Sequence, residues 1–233
     1  MRNTIKRPTE EEANLSGFQL FKKLNDDEFN RLNYEKTCSV YKKATIIYRE
    51  GSRLTGFFCV TRGIIKIFKT GIDGKEQIIR FAKKGEIIAY RSLLSQELAC
   101  TAAKVIEEAV LCHIPYQTLL FLIKSNWQFS HHMLQIVCHE LREANDYITD
   151  IAQKTVRERL AEVLLLLKDS FEVDNQNTLQ ISLTREELAN TVGTATESVI
   201  RLLSEFKQDK LIELQGRKIK FLDIPSLKRV ANL

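Results

Sequence analysis

The chain has 233 residues, 44% hydrophobic and 28% charged, with a formal net charge of +5. That length can bury a core without covalent staples, and that balance excludes a disordered or fibrous chain. A mildly basic total permits nucleic-acid binding but does not announce it. The longest aliphatic run, Val163 to Leu167, lies between Glu162 and Lys168, far short of the roughly 18 apolar residues of a bilayer span. The opening Met1-Arg2-Asn3-Thr4 soon meets Glu10-Glu11-Glu12 and has no apolar leader core, so a cytoplasmic protein without a membrane partner is expected. Five cysteines, at 38, 59, 100, 112 and 138, are scattered, odd in number and without a CxxC pair. They predict five reduced thiols and no cysteine-based metal site.

In chain order, residues 16–37 set apolar positions at helical spacing (Phe18, Leu20, Phe21, Leu24, then Phe29 and Leu32), and Asn25 with Glu28 can cap the second of two helices. From Val40 to about Pro115 the texture turns to short β-branched and aromatic runs between glycines. Ile64–Lys69, Ile72-Asp73-Gly74-Lys75 and Gln77–Phe81 read as strand, tight turn and strand, Asp-Gly being the pair a type I′ hairpin prefers. Several such strands predict a small antiparallel barrel or roll. Helical texture begins near Asn126. There Leu134, Val137, Leu141, Ala144, Ile148 and Ile151 recur at alternating steps of three and four, the a/d seam of a coiled coil, with His131, His139, Glu140, Arg142, Glu143 and Asp146 off it. One long helix could lay this stripe on its own roll, but so narrow a stripe favours pairing with a second copy. The helix is expected to end near Gln153. Thr155-Val156-Arg157-Glu158 has the capping-box spacing of a new helix start. Residues 1–125, 126–153 and 154–233 are thus the expected divisions, with a hinge between Ile151 and Thr155.

Two more capping boxes follow, Thr184-Arg185-Glu186-Glu187 and Thr194-Ala195-Thr196-Glu197, on either side of Gly193. They predict helices over about Arg185–Val192 and Ala195–Phe206 in a helix-turn-helix: Ala189 is small at the crossing, Gly193 turns the chain, and Leu188, Val192, Val199 and Leu202 face inward. The second helix then turns Thr196, Glu197, Ile200 and Arg201 outward. Arg201 can donate twice to guanine and Glu197 can accept from cytosine. A plain i,i+4 surface pair between them is the competing reading, and capping also claims Glu197. Leu211–Leu214, Gln215-Gly216-Arg217-Lys218 and Ile219–Leu222 then form a hairpin with a basic tip, a wing. From Arg201 onward eight Lys/Arg face four acids, whereas residues 150–200 hold five bases and nine acids. Basic charge therefore gathers where a wing would meet phosphate. Thr184, Arg185, Thr194, Arg217 and Lys218 join the outward residues as the candidate DNA-binding set.

This order of parts resembles the cyclic-AMP receptor protein / fumarate-nitrate regulator (Crp/Fnr) family of bacterial transcription factors. The resemblance is carried by Ile47-Tyr48-Arg49-Glu50-Gly51, Gly63-Ile64-Ile65-Lys66-Ile67, Gly85-Glu86-Ile87-Ile88-Ala89 and Glu197-Ser198-Val199-Ile200-Arg201, and it covers nearly the whole chain. It implies an α+β architecture: an N-terminal cyclic-nucleotide-binding-like β-roll, a long dimerisation helix and a C-terminal winged helix-turn-helix. It further implies a non-enzymatic homodimer that binds a roughly palindromic double-stranded operator, works with RNA polymerase, and switches when its roll senses an effector or redox signal. The corresponding effector pocket comprises Gly85, Glu86, Ile87, Arg91, Cys100, Thr101 and Ala102, with Asn145 beside the seam on the long helix. The dimer interface comprises Leu134, Val137, Leu141, Ala144, Ile148 and Ile151.

The sensory side departs from the family pattern. Cyclic-nucleotide-binding members pair their phosphate with an Arg where this chain has Cys100, although Gly85, Glu86, Thr101 and Ala102 match. A buried phosphate without its cation is costly, so cyclic AMP is disfavoured unless Arg91 substitutes. Members that carry an iron–sulfur cluster hold it with N-terminal cysteines, and residues 1–37 have none. Haem-binding members leave Cys59, Cys100, Cys112, His113, His131, His132 and His139 as ligands by residue type only. Cys112 and His113 should point to opposite faces of a strand, and His132 and His139 should face solvent. No cofactor is identified. Thr196 stands where cyclic-AMP-type members have a second Arg, so their operator does not carry over. The rival reading is a module that regulates a protein partner without DNA, which would want apolar anchors on the outer face of the second helix. An enzyme is less well supported: GxGxxG, P-loop, GxSxG and HExxH motifs are all missing.

Overall fold

Alternation of β-branched residues with glycine turns draws six strands out of residues 37–115 in the computed structural model, which describes residues 7–233. The stretch Met1–Thr4, on which the expectation of no leader rests, lies outside the described residues. Strands β1 (Thr37–Tyr41), β2 (Ile46–Tyr48), β3 (Gly56–Thr70), β4 (Glu76–Ala82), β5 (Ile87–Ile88) and β6 (Ala102–Pro115) pair antiparallel in the order β1-β6-β3-β4, with β2 on β6 and β5 on β3. Period-two alternation divides their side chains between two cores. Val60, Ile65, Val105 and Leu111 fill the roll interior, whereas Phe57, Cys59, Cys112 and Ile114 face Leu15, Leu32, Leu119 and Phe129 of the surrounding helices. Gly63 is required where β3 bulges against β6: its φ is 83°, and a Cβ would come within 2.6 Å of the Ala109 Cα.

Helix α1 (Asp26–Glu35) is capped by the expected Asn25–Glu28 box. The buried Glu28 also accepts from Ser125 Oγ (3.1 Å) and Asn126 Nδ2 (2.7 Å), which ties α1 to the junction that follows α3 (Tyr116–Ser125). A short α2 (Tyr90–Leu94) interrupts the strands. The long α4 runs from Trp127 to Gln153.

Four expectations are corrected. The apolar run around Phe18–Leu24 forms only a 3-10 turn, Gln19–Phe21. The β3–β4 turn is not type I′. Only Gly74 takes a positive φ (75°) while Asp73 does not, and the Gly74 N–H donates to the Gly71 carbonyl at 3.0 Å, so a bulged turn replaces the two-residue one. The thiols are not all reduced: Cys38 and Cys112, directly paired across β1 and β6, form a disulfide, with Cys59, Cys100 and Cys138 free. Strand register brings those two together across 74 residues of sequence. The Thr194 capping box does not form either. The Thr194 N–H already donates to the Ala189 carbonyl (3.1 Å) to close the preceding helix, so α7 (Thr196–Gln208) starts one residue later, with Ala195 at its cap.

The chain divides into two units, one ending at Leu141 and one beginning at Arg142. In the second, α5 (Val156–Phe171) starts from the expected Thr155–Glu158 box and α6 (Arg185–Val192) from the Thr184–Glu187 box. Gly193, left-handed at φ 74°, turns α6 into α7. Leu188, Ala189, Val192, Val199 and Leu202 are all buried, as the helix-turn-helix spacing required. Strands β7 (Ile212–Gln215) and β8 (Lys218–Phe221) form the wing, and α8 (Ile224–Val230) packs on α5. Lys154, between α4 and α5, bridges Asp150 (2.9 Å) and Glu162 (2.7 Å). Arg159 donates to the carbonyls of Lys154 (2.9 Å) and Val192 (3.2 Å).

Candidate effector cleft and nucleic-acid interface

The first unit carries a cleft whose polar wall is built by three elements. Strand β4 supplies Arg80. Ala89, left-handed at φ 72°, turns β5 into α2, so that Tyr90 is buried and Arg91 borders the cleft. Helix α4 supplies Glu140, which continues the core-facing stripe of Phe129, Met133 and Ile136 by one more turn. Its carboxylate, 13% exposed, takes Arg80 Nε on one oxygen (3.1 Å) and Arg91 Nη1 on the other (3.3 Å). Arg80 also pairs with Glu86 (3.0 Å) and donates to the Ile87 carbonyl (2.9 Å). Arg91 Nη2 donates to Cys100 Sγ at 3.4 Å. Burial would push the Cys100 thiol up, but its contacts with Ser92 and Arg91 outweigh that and lower its pKa. Tyr48 faces Thr101 at 3.5 Å. The Tyr90 hydroxyl lies buried beside Glu140 without a well-aligned hydrogen bond; burial first, then the Glu140 charge and its acceptor oxygen, raise its pKa.

Of the effector residues expected from sequence, Arg91, Cys100 and Thr101 line this cleft, and Glu86 and Ile87 border it through Arg80. Gly85, at φ 93°, donates its N–H to the Val60 carbonyl and shapes the turn before β5. Ala102 is buried in a separate small cluster with Phe68 and Ile78. Asn145 is exposed on α4, where its carbonyl accepts from Thr149. Arg80, Tyr90 and Glu140 went unrecognised. Glu140 had a legible signal, a carboxylate at an i+4 and i+7 position of an otherwise apolar stripe; Arg80 had none, since it looked like the polar face of a strand.

In the second unit, α7 presents Glu197, Ile200 and Arg201 to solvent, with Thr196 half-buried at its first position. Arg201, 67% exposed, pairs with Glu205 and not with Glu197, so the expected surface pair is replaced by one a turn further on. Glu205 also takes Arg157 (3.1 Å), which lies over the Phe206 ring. Thr184 caps α6, its hydroxyl oxygen accepting from the Glu187 N–H. Arg185 is half-buried and donates to the Gly216 carbonyl (2.8 Å), tying α6 to the tip of the wing. Arg217 and Lys218 are exposed there, and Thr194 lies in the turn between α6 and α7.

Known proteins agree with both halves of this geometry. A cyclic nucleotide-binding domain family matches residues 39–126, and a Crp-like helix-turn-helix domain family matches residues 158–230. The transcriptional activator protein FnrA of Stutzerimonas stutzeri is 27% identical over 215 residues, covering 91% of this chain and 88% of its own. Among solved structures, FixK2 from Bradyrhizobium japonicum superposes with a TM-score of 0.76 at 22% identity, over 84% of this chain and 96% of that one. A CRP/FNR-family transcriptional regulator from Thermus thermophilus superposes with a TM-score of 0.71 at 22% identity, over 84% and 99%. The chain is a DNA-binding transcriptional regulator with a cyclic-nucleotide-binding-like sensory domain. Its two matched domains, and its likeness to FnrA over 91% of its length, are those of regulators of the Crp/Fnr type.

Proposed function

We propose that two copies of this chain pair along α4 through Leu134, Val137, Leu141, Ala144, Ile148 and Ile151, and that the dimer reads a roughly palindromic operator through its two α7 helices. One observation carries the reading. Leu134, Leu141, Ile148 and Ile151 are 57%, 61%, 64% and 48% exposed on one helix, a row of large aliphatic side chains whose apolar area is favourable to bury. Heptad spacing is what a second such helix needs for knobs-into-holes packing. Arg201 and Glu197 then address base edges, Ile200 the thymine methyl, and Thr184, Arg185, Thr194, Thr196, Arg217 and Lys218 the phosphates. The roll senses an effector in the cleft around Arg91, Cys100 and Thr101, with Gly85, Glu86, Ile87 and Ala102 framing the cassette. The signal passes along α4 by way of Asn145 and sets the separation of the reading helices against a DNA repeat of roughly 34 Å. Such a protein works in the cytoplasm with RNA polymerase and without an enzymatic reaction.

The test is sedimentation of the full chain together with selection from random duplexes. A dimer mass and an enriched two-fold symmetric site are expected. A lone protomer at micromolar concentration without duplex affinity refutes the reading.

A further inference from the structure

We propose that the cleft of the first unit receives a small oxyanion, a carboxylate, phosphate or nitrate group, which binds by taking the place of Glu140 between Arg80 and Arg91. The inference rests on the reading of the roll as a sensor and specifies what it senses. Two guanidinium groups from separate elements converge on one carboxylate, one oxygen for each arginine. Guanidinium forks match planar or tetrahedral oxyanions well, so the wall that holds Glu140 already has the donors such an ion requires. The cleft, about 30 Å³ in volume, has room for an ion of a few heavy atoms. A third donor stands at the same place: the Tyr90 hydroxyl, buried at the cleft beside the Glu140 carboxylate, closes no well-aligned hydrogen bond there. An oxygen of the ion, next to Arg91, would satisfy it.

Glu140 is what makes the site a switch. It sits on α4, so an ion that claims Arg80 and Arg91 releases α4 from β4 and α2, while an empty cleft holds it. The ion and Glu140 compete for the same donors. The ion therefore favours the released state by its differential affinity, which is the condition for any ligand to shift a conformational equilibrium.

The test titrates the full-length protein with phosphate, nitrate, acetate and succinate at constant ionic strength, with chloride as reference, following thermal stability and calorimetric binding. At least one oxyanion is expected to bind saturably where chloride does not, and comparison of the four assigns the group. Glu140→Gln should bind that ion at least tenfold more tightly, because the internal competitor is gone. Arg91→Gln, at a half-exposed position that tolerates the change, should bind it at least tenfold more weakly. Equal affinity of wild type and Glu140→Gln overturns the proposal, as does a panel that binds neither protein or binds no better than chloride. Duplex affinity in the same solutions separates this inference from the reading beneath it. Glu140→Gln should show without ion the change that the ion produces in the wild type. If neither protein binds any duplex, the operator reading fails; if both bind DNA alike with and without ion, the switch alone fails.

Discussion

The two halves of α4 carry similar apolar residues and meet opposite fates. Toward its start, Phe129 is fully buried and stacks on Phe21 at 6.4 Å, and Met133 is 3% exposed in the same core. Toward its end, Ile148 and Ile151 stand in solvent, as Leu134 and Leu141 do on the flank of the first half. One helix thus serves two faces: a stripe through Phe129, Met133, Ile136 and Glu140 belongs to the roll, and on a second stripe, a third of a turn away, Leu134, Leu141, Ile148 and Ile151 are exposed. Burial by the chain's own core explains the first stripe. The second stripe is the one assigned above to pairing with a second copy, on the strength of its heptad spacing.

The largest effect should come from the buried half. Phe129→Ala removes a ring from a packed core and should cost about 3–5 kcal/mol in urea unfolding. Ile148→Lys, by contrast, should leave the fold of each protomer nearly unchanged. It should raise the dimer dissociation constant by a hundredfold or more, about 3 kcal/mol for two lost side chains, in sedimentation equilibrium. If Ile148→Lys instead melted the protomer and spared the dimer, the contrast between the halves would be reversed. Arg201→Ala carries the same logic to α7: the side chain is exposed, so folding should survive, while specific operator affinity falls by about 1–3 kcal/mol with relaxed discrimination at one base pair. Footprints and mismatch duplexes read both.

Smaller effects sharpen the picture. Thr184→Ala breaks the box that starts α6 and should cost about 1 kcal/mol in thermal unfolding. Glu28 tests how firmly the buried half is anchored. Burial alone would raise its pKa, but hydrogen bonds from Asn126, the Asn25 N–H and Ser125 outweigh burial and lower it. A carboxylate depressed in the folded state adds stability above its ordinary value of 4.5, and that stability is lost as pH falls through the lower folded value. Glu28→Gln should therefore flatten the acid limb of the stability curve.

What was legible in the sequence was local. The boxes at Asn25, Thr155 and Thr184 need only residues three apart, and each formed. The box at Thr194 matched the same pattern and failed, because α6 needed the same N–H for its own end. The helix-turn-helix was readable because its small, turning and inward positions are fixed by sterics within two helices. The Cys38–Cys112 bond and the Arg80–Glu140–Arg91 cluster were not, since both depend on strand register and on a helix returning to the roll. Arg91 and Cys100 came into view through resemblance, while Glu140 lay hidden as one charge among several on a long helix. Pattern finds what a few neighbouring residues decide; it misses what distant segments decide together.

Arg159 has a mechanical consequence. By holding the carbonyls of Lys154 and Val192 at once, it ties the short junction before α5 to the tail of α6 with a single rigid fork. A change of backbone path at residue 154 would therefore be felt at the end of α6, beside the Gly193 turn that leads into α7.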